Sequence, residues 1–373
     1  MQAGKTGKAT SQTDLVVPAG PAGQTSMHCT MCQDIERVVT TFTKCPTMQL
    51  LARRTLTEMK ANNFNISPYN DTWAQCLVVA FDYVGEDDTQ LGALCYEIET
   101  CSGCYKGQHA ERLGTVMAGV LMTHITRLHK VDDYGSTIHH YCRALAAVTS
   151  HTCNQHVFDD GIHVLLDLVG DFNNYWHWFY ASSAFATLYN IVRHLNKQDV
   201  CIETGVSAAM HALQVDDNDD YDSLRTNACK FLSKLTKHAT LCAADIAVLV
   251  KLINTCADRD VMEYACKVLV NIADQDDRRA MLGDTIESML DLLANYDDCA
   301  FEACKAIHAV TQLASNAKRC GESCGIETLT SFYEKMYDDL FDDPRDMDDW
   351  WNNTYRCVIR TLDTLKNIKP NCV

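Results

Sequence analysis

Proline and glycine are scarce: six and seventeen among 373 residues. That is too few for a β-sandwich built on tight turns or for a disordered chain. Alternating β-branched stretches are rare too, so strands are not expected. No apolar run reaches the eighteen or more residues of a membrane span. HExxH, GxSxG, GxGxxG and kinase signatures are missing. Gly4-Lys5-Thr6 lacks the glycine five residues earlier that a phosphate-binding loop needs. Neither an enzyme nor a cofactor is expected. Residues 1–27 hold no apolar stretch long enough for a secretory signal, and Gln2 excludes N-myristoylation.

Positive charge is also short. Forty-nine acidic against thirty-two basic residues leave a net charge of −17, which repels nucleic acid and anionic lipid at long range. Neither is an expected partner. Cysteine, by contrast, is abundant at twenty, and 47% of the residues are hydrophobic. Many cysteines follow alanine within helical patterns, as at Ala228-Cys229, Ala265-Cys266 and Ala303-Cys304. A reduced thiol there acts as a small hydrophobe. Free thiols point to a reducing compartment, so a cytoplasmic location is expected, with cytoskeleton or cilium as the alternative.

Residues 1–27 are rich in Gly, Ala, Ser, Thr and Gln and read as a flexible tail. From there to about 340, apolar residues recur at three- and four-residue spacing. A longer period overlies that one. Gly205-Val206, Asp245-Ile246, Thr285-Ile286 and Gly325-Ile326 fall at 40-residue intervals, and Gly161-Ile162 lies 44 before the first. A second series interleaves: Ala228 to Leu235 aligns with Ala265 to Ile272 and Ala303 to Val310, and more loosely with Tyr141 to Val148 and Ala184 to Ile191. Two helix types recurring every forty residues predict an all-α, right-handed solenoid of about seven units, because no unit can bury its apolar stripe alone. An acidic linker and a C-terminal capping helix are expected over 341–373. One face of that helix would carry Trp350, Trp351, Tyr355, Val358, Ile359 and Leu362.

These residues resemble the armadillo repeat. Its signature runs from a small residue through Leu-x-Asn to a polar gap, then Gly-Ile/Val before a leucine-rich helix. Ala265–Leu293 and residues 184–213, with Leu188, Asn190, Ile191, Gly205 and Val206, carry the match. The resemblance implies a non-catalytic scaffold that holds an extended partner segment along its third helices. An Asn column would bond the ligand backbone, and the column four residues earlier would supply side chains. In this chain the first column reads Glu58, Glu97, Ala147, Asn190, Lys234, Asn271, Ala309 and Thr361. The second reads Arg54, Ala93, Arg143, Ala186, Lys230, Lys267, Lys305 and Cys357. Karyopherin-α proteins place Trp in the second column, and this chain has none there. Its basic residues resemble the β-catenin-like groove, which implies an acidic partner segment held by Arg143, Asn190, Lys230, Lys234, Lys267, Asn271 and Lys305. The alternative is a constitutive structural subunit of a large cytoskeletal, ciliary or organellar assembly.

Cys29-Thr-Met-Cys32 and Cys101-Ser-Gly-Cys104 have the spacing of two half-sites for zinc. They lie almost two repeat lengths apart, whereas zinc needs its sulfurs within about 2.3 Å, so no metal site is expected. His139, His163, His194 and His211 read as helix-surface residues. The aromatic stretch from Phe172 to Tyr180 reads as core packing, and the acidic clusters Asp216–Asp222 and Asp338–Asp349 as solvated loops.

Overall fold

In a computed structural model, the chain divides into two compact units, Met1–Val79 and Ala80–Val373. The structure describes residues 80, 94, 95 and 98, and then 108–367 without 130–134, 151–160, 171–176, 195–197, 216–220, 257, 297, 298 and 343–348. The whole first unit lies outside the described residues. So do Cys29, Cys32, Cys101 and Cys104, the column positions Arg54, Glu58, Ala93 and Glu97, and most of the acidic clusters.

Every element in the described part of the second unit is helical. In chain order these are α1 (Gln108–Leu128), α2 (Gly135–Thr149), α3 (Ile162–Gly170), α4 (His177–His194), α5 (Gln198–Leu213), α6 (Asp222–Leu235), α7 (Ala243–Thr255) and α8 (Arg259–Ala273). There follow a single turn α9 (Asp276–Arg279) with a 3₁₀ segment (Ala280–Thr285), then α10 (Ile286–Asn295), α11 (Ala300–Thr311), α12 (Ala314–Glu322), α13 (Gly325–Asp342) and α14 (Asp349–Asn367). No strand occurs among the described residues, and no described helix is long and apolar enough to cross a membrane.

Local chemistry sets several of the boundaries. Asp258 caps α8, its carboxylate accepting from the Val261 N–H at 2.9 Å. Asp245 accepts from the Cys242 N–H at 2.8 Å and does the same for α7; such caps satisfy N–H groups the helix leaves open. Beyond the end of α12, Cys324 has a left-handed φ of 57°, and Gly325 opens the next helix. A Cβ on Gly325 would lie 2.5 Å from the Cys320 carbonyl oxygen.

Packing arranges the helices in two rows. The α2 row runs α2–α4–α6–α8–α11–α14, each helix packed on the next; the α3 row runs α3–α5–α7–α10–α13 beside it. Both sequence series fall where the forty-residue period puts them. The Ala-Cys pairs at 228, 265 and 303 lie in the α2 row and are 0% exposed, as are Phe185 and Phe231. The two rings meet at 5.7 Å across α4 and α6. Each such ring contributes about 1.5–3 kcal/mol when buried. Burial pushes the Cys142 thiol up to about 12 and raises those of Cys229, Cys266 and Cys304 as well, which makes them inert hydrophobes.

Neighbouring units are also tied one repeat apart. Asn227 donates to the Ser182 hydroxyl at 3.0 Å, and Arg319 bonds Asp284. Trp178 and Tyr180 are buried, as the core reading of that stretch requires. His163 and His211 are exposed, whereas His139 is half-buried and edge-on to Phe179 at 5.5 Å. α14 packs on α11, α12 and α13. Val358 and Leu362 are buried, and the hydroxyls of Tyr355 and Tyr333 meet at 2.9 Å.

Candidate partner-binding face

The candidate residues all lie on the α2 row. Arg143 is on α2, Asn190 on α4, Lys230 and Lys234 on α6, Lys267 and Asn271 on α8, and Lys305 on α11. Lys230 with Lys234, and Lys267 with Asn271, are four residues apart and so share one stripe of their helix. The stripe is partly shielded: Arg143 is exposed and the other six are half-buried.

Aromatic rings gather the lysines. Lys230 and Lys267, from adjacent helices, both lie over the Tyr264 ring, at 5.0 and 4.2 Å from its centre. Lys234 reaches across to Tyr189 on α4 at 5.5 Å, and Lys305 lies over Phe301 at 4.9 Å. Such contacts hold an ammonium in place for about 0.5–1 kcal/mol at partly exposed sites. Lys234, Lys267, Asn271 and Lys305 also line one depression of about 160 Å³ with Ser233, Lys237, Val270 and Glu302. Arg143 and Asn190 lie outside it, on the two preceding helices of the row.

The cations are not equivalent. Lys267 bonds Glu263 on its own helix, and Lys305 pairs with the buried Glu302 at 3.0 Å. Burial works against the Lys267 charge, but Glu263 and then Glu302 outweigh it and lift its titration above that of an ordinary lysine. Lys234 is the opposite case. Burial, then the charges of Lys237, Arg193 and Lys267, hold its ammonium below the usual lysine range. No carboxylate among the described residues pairs with Lys230, Lys234, Lys237 or Arg193. Arg193 and Lys237 escaped the sequence reading. Each lies three residues beyond an Asn-column position, Asn190 and Lys234, so one further turn of the same stripe would have found them.

The two asparagines share one arrangement. The Asn190 amide nitrogen donates to the Ala146 carbonyl at 3.0 Å and to the Thr149 hydroxyl at 3.3 Å, both on the preceding helix of the row. Asn271 repeats this with the Ser233 carbonyl at 2.6 Å and the Thr236 hydroxyl at 3.4 Å. A carbonyl only accepts, so the amide nitrogen must face the neighbouring helix. The amide oxygen is not used in these bonds and remains an acceptor. Half of each amide is committed to holding the row together.

No group of three or more His, Cys, Asp or Glu side chains that could hold a metal occurs among the described residues.

No protein-family model and no curated protein sequence matches the chain. Solved structures do. A crystal structure of computationally designed armadillo repeat proteins for modular peptide recognition superposes with a TM-score of 0.52 at 16% identity, over 65% of this chain and 99% of the other. This chain has the armadillo-like repeat fold. Two crystal structures of engineered proteins superpose equally well, with TM-scores of 0.51 and 0.52 at 20% and 19% identity. Each covers 66% of this chain and nearly all of its own length. In armadillo-like terms, the α2 row holds the third helix of each unit and the α3 row the leucine-rich helix.

Proposed function

We propose that this chain is a non-catalytic protein-binding scaffold that holds an extended, acidic segment of a partner protein along the α2 row, in a β-catenin-like manner. One observation carries the reading: a chain of net charge −17 concentrates Arg193, Lys230, Lys234 and Lys237 on one face, with no carboxylate paired to them among the described residues. Uncompensated cations, Lys230 and Lys234 half-buried and Arg193 and Lys237 exposed, repel one another, and an anionic ligand relieves that repulsion. The remaining amide oxygens of Asn190 and Asn271 are acceptors for the backbone N–H groups of an extended segment. Lys267 and Lys305 serve less as ligand contacts than as parts of the framework, because Glu263 and Glu302 already neutralise them. The designed armadillo structure made for modular peptide recognition supports the same use of the fold.

Charge reversal tests this. Lys230→Glu with Lys234→Glu should abolish recovery of the partner from native extract while leaving the circular dichroism melt unchanged. Wild-type recovery should fall as salt rises, because the contacts are largely solvent-exposed charge pairs. A partner retained by the double variant, at high and low salt alike, contradicts the reading and fits instead a constitutive subunit of a large assembly.

A further inference from the structure

The depression on the α2 row holds more cations than it balances. Lys234, Lys237, Lys267 and Lys305 line it, and Glu302 is the one carboxylate among its lining residues. Two of the four lysines are already neutralised: Lys267 bonds Glu263, and Lys305 pairs with Glu302 at 3.0 Å. Lys237 is exposed. Of the four, only Lys234 is both half-buried and without a paired carboxylate among the described residues. Its ammonium lies against the Tyr189 ring, 5.5 Å from the centre. Burial, then the charges of Lys237, Arg193 and Lys267, favour loss of its proton. A lysine so placed spends more of its time as the neutral amine, which is the nucleophile.

What the depression lacks is an anion, and carbon dioxide can make one in place. The neutral Nζ attacks the carbon of carbon dioxide. A C–N bond forms, one C–O π bond opens onto oxygen, and the proton shed by nitrogen passes to solvent. The product is a carbamate, negative where an ammonium stood. Four ammoniums against one carboxylate become three against two, which relieves the repulsion among them. The depression, about 160 Å³, is roomy beside the roughly 30 Å³ that one water occupies in the liquid, so the added group has space. Lys230 provides the matched comparison. It too is half-buried and lies over a tyrosine ring, but it is not among the residues that line the depression.

We propose that Lys234 is a site of reversible carbamate formation, where carbon dioxide adds to the Nζ and the new anion is balanced by Lys237, Lys267 and Lys305. The modification does not depend on what occupies the groove. Where an acidic segment lies along the row, the charge reversal at Lys234 weakens its hold, and that consequence rests on the groove reading above.

The experiment equilibrates the full chain with isotopically labelled bicarbonate and dissolved carbon dioxide. Carbamates are then trapped as ethyl esters with a triethyloxonium salt and mapped by mass spectrometry. Lys234 should carry the labelled adduct several times more heavily than Lys230 or Lys237, and Lys234→Arg should remove it. Lys237→Met, which alters an exposed side chain, should lower trapping at Lys234 about two- to fivefold, the worth of one largely exposed charge pair. Lys237→Arg, which keeps the charge, should leave it unchanged. An unaltered thermal melt keeps these variants interpretable. No adduct at Lys234, or equal trapping at Lys230 and Lys234, overturns the proposal and leaves the groove reading untouched. Trapping at Lys234 that ignores the loss of the Lys237 charge overturns it as well.

Discussion

At the scale of single residues, the two asparagines join fold and site. Asn271 donates to the Ser233 carbonyl and the Thr236 hydroxyl, so its amide nitrogen fastens α8 to α6 while its oxygen is left as an acceptor. Asn271→Ala should lower stability by about 1–2 kcal/mol, because a partly buried carbonyl loses its donor; chemical denaturation would measure it. Asn271→Asp should cost at least as much, since a carboxylate cannot donate to that carbonyl. A variant as stable as wild type would show the amide to be free of the scaffold. The sequence period was enough to align Asn190 with Asn271. That both amides bind the preceding helix was not legible, because it depends on where a carbonyl forty residues away ends up. Arg193 and Lys237 were legible in principle, through one more turn of the same stripe.

At the scale of helices, the glycine of the forty-residue series, inside α5 at Gly205 and opening α13 at Gly325, has two different explanations along the chain. Gly325 has no room: an added Cβ would meet the Cys320 carbonyl oxygen and Sγ, both at 2.5 Å, and backbone cannot step aside as a flexible side chain can. At Gly205 the obstacle is the Phe231 ring at 2.9 Å, on the neighbouring α6. Gly325→Ala should therefore destabilise the protein by about 1–3 kcal/mol, the usual cost of overpacking. Gly170→Ala, where nothing lies within 4 Å, should leave the thermal midpoint unchanged or slightly raised. Equal midpoints for the two variants would contradict the packing described. The element order was readable from hydrophobic spacing because α2-row helices bury Ala, Cys and Leu at fixed offsets. The partners of the lysines were only half readable. Glu263 to Lys267 and Glu302 to Lys305 are ordinary helix-surface spacings, while Lys230 and Lys267 meeting over Tyr264 requires knowing that α6 and α8 are neighbours.

At the scale of the whole second unit, two rows of helices do what no single repeat can: each buries its apolar stripe against the next. Stability then accumulates from neighbour to neighbour, and the α2 row is left as a continuous face whose exposed positions recur about every forty residues. Arg193, Lys230, Lys234 and Lys237, with no carboxylate paired to them among the described residues, put local positive charge on this face of a chain whose net charge is −17. The most direct test is to ask which row touches the partner. A photo-crosslinking benzophenone residue would be placed at Gln312, which is exposed and one turn beyond Ala309 on the Lys305 stripe of α11. A second would be placed at Asp291, exposed on α10 of the α3 row. Crosslinking of the partner from position 312 and not from 291 is the predicted result; crosslinking from 291 and not from 312 would contradict the account.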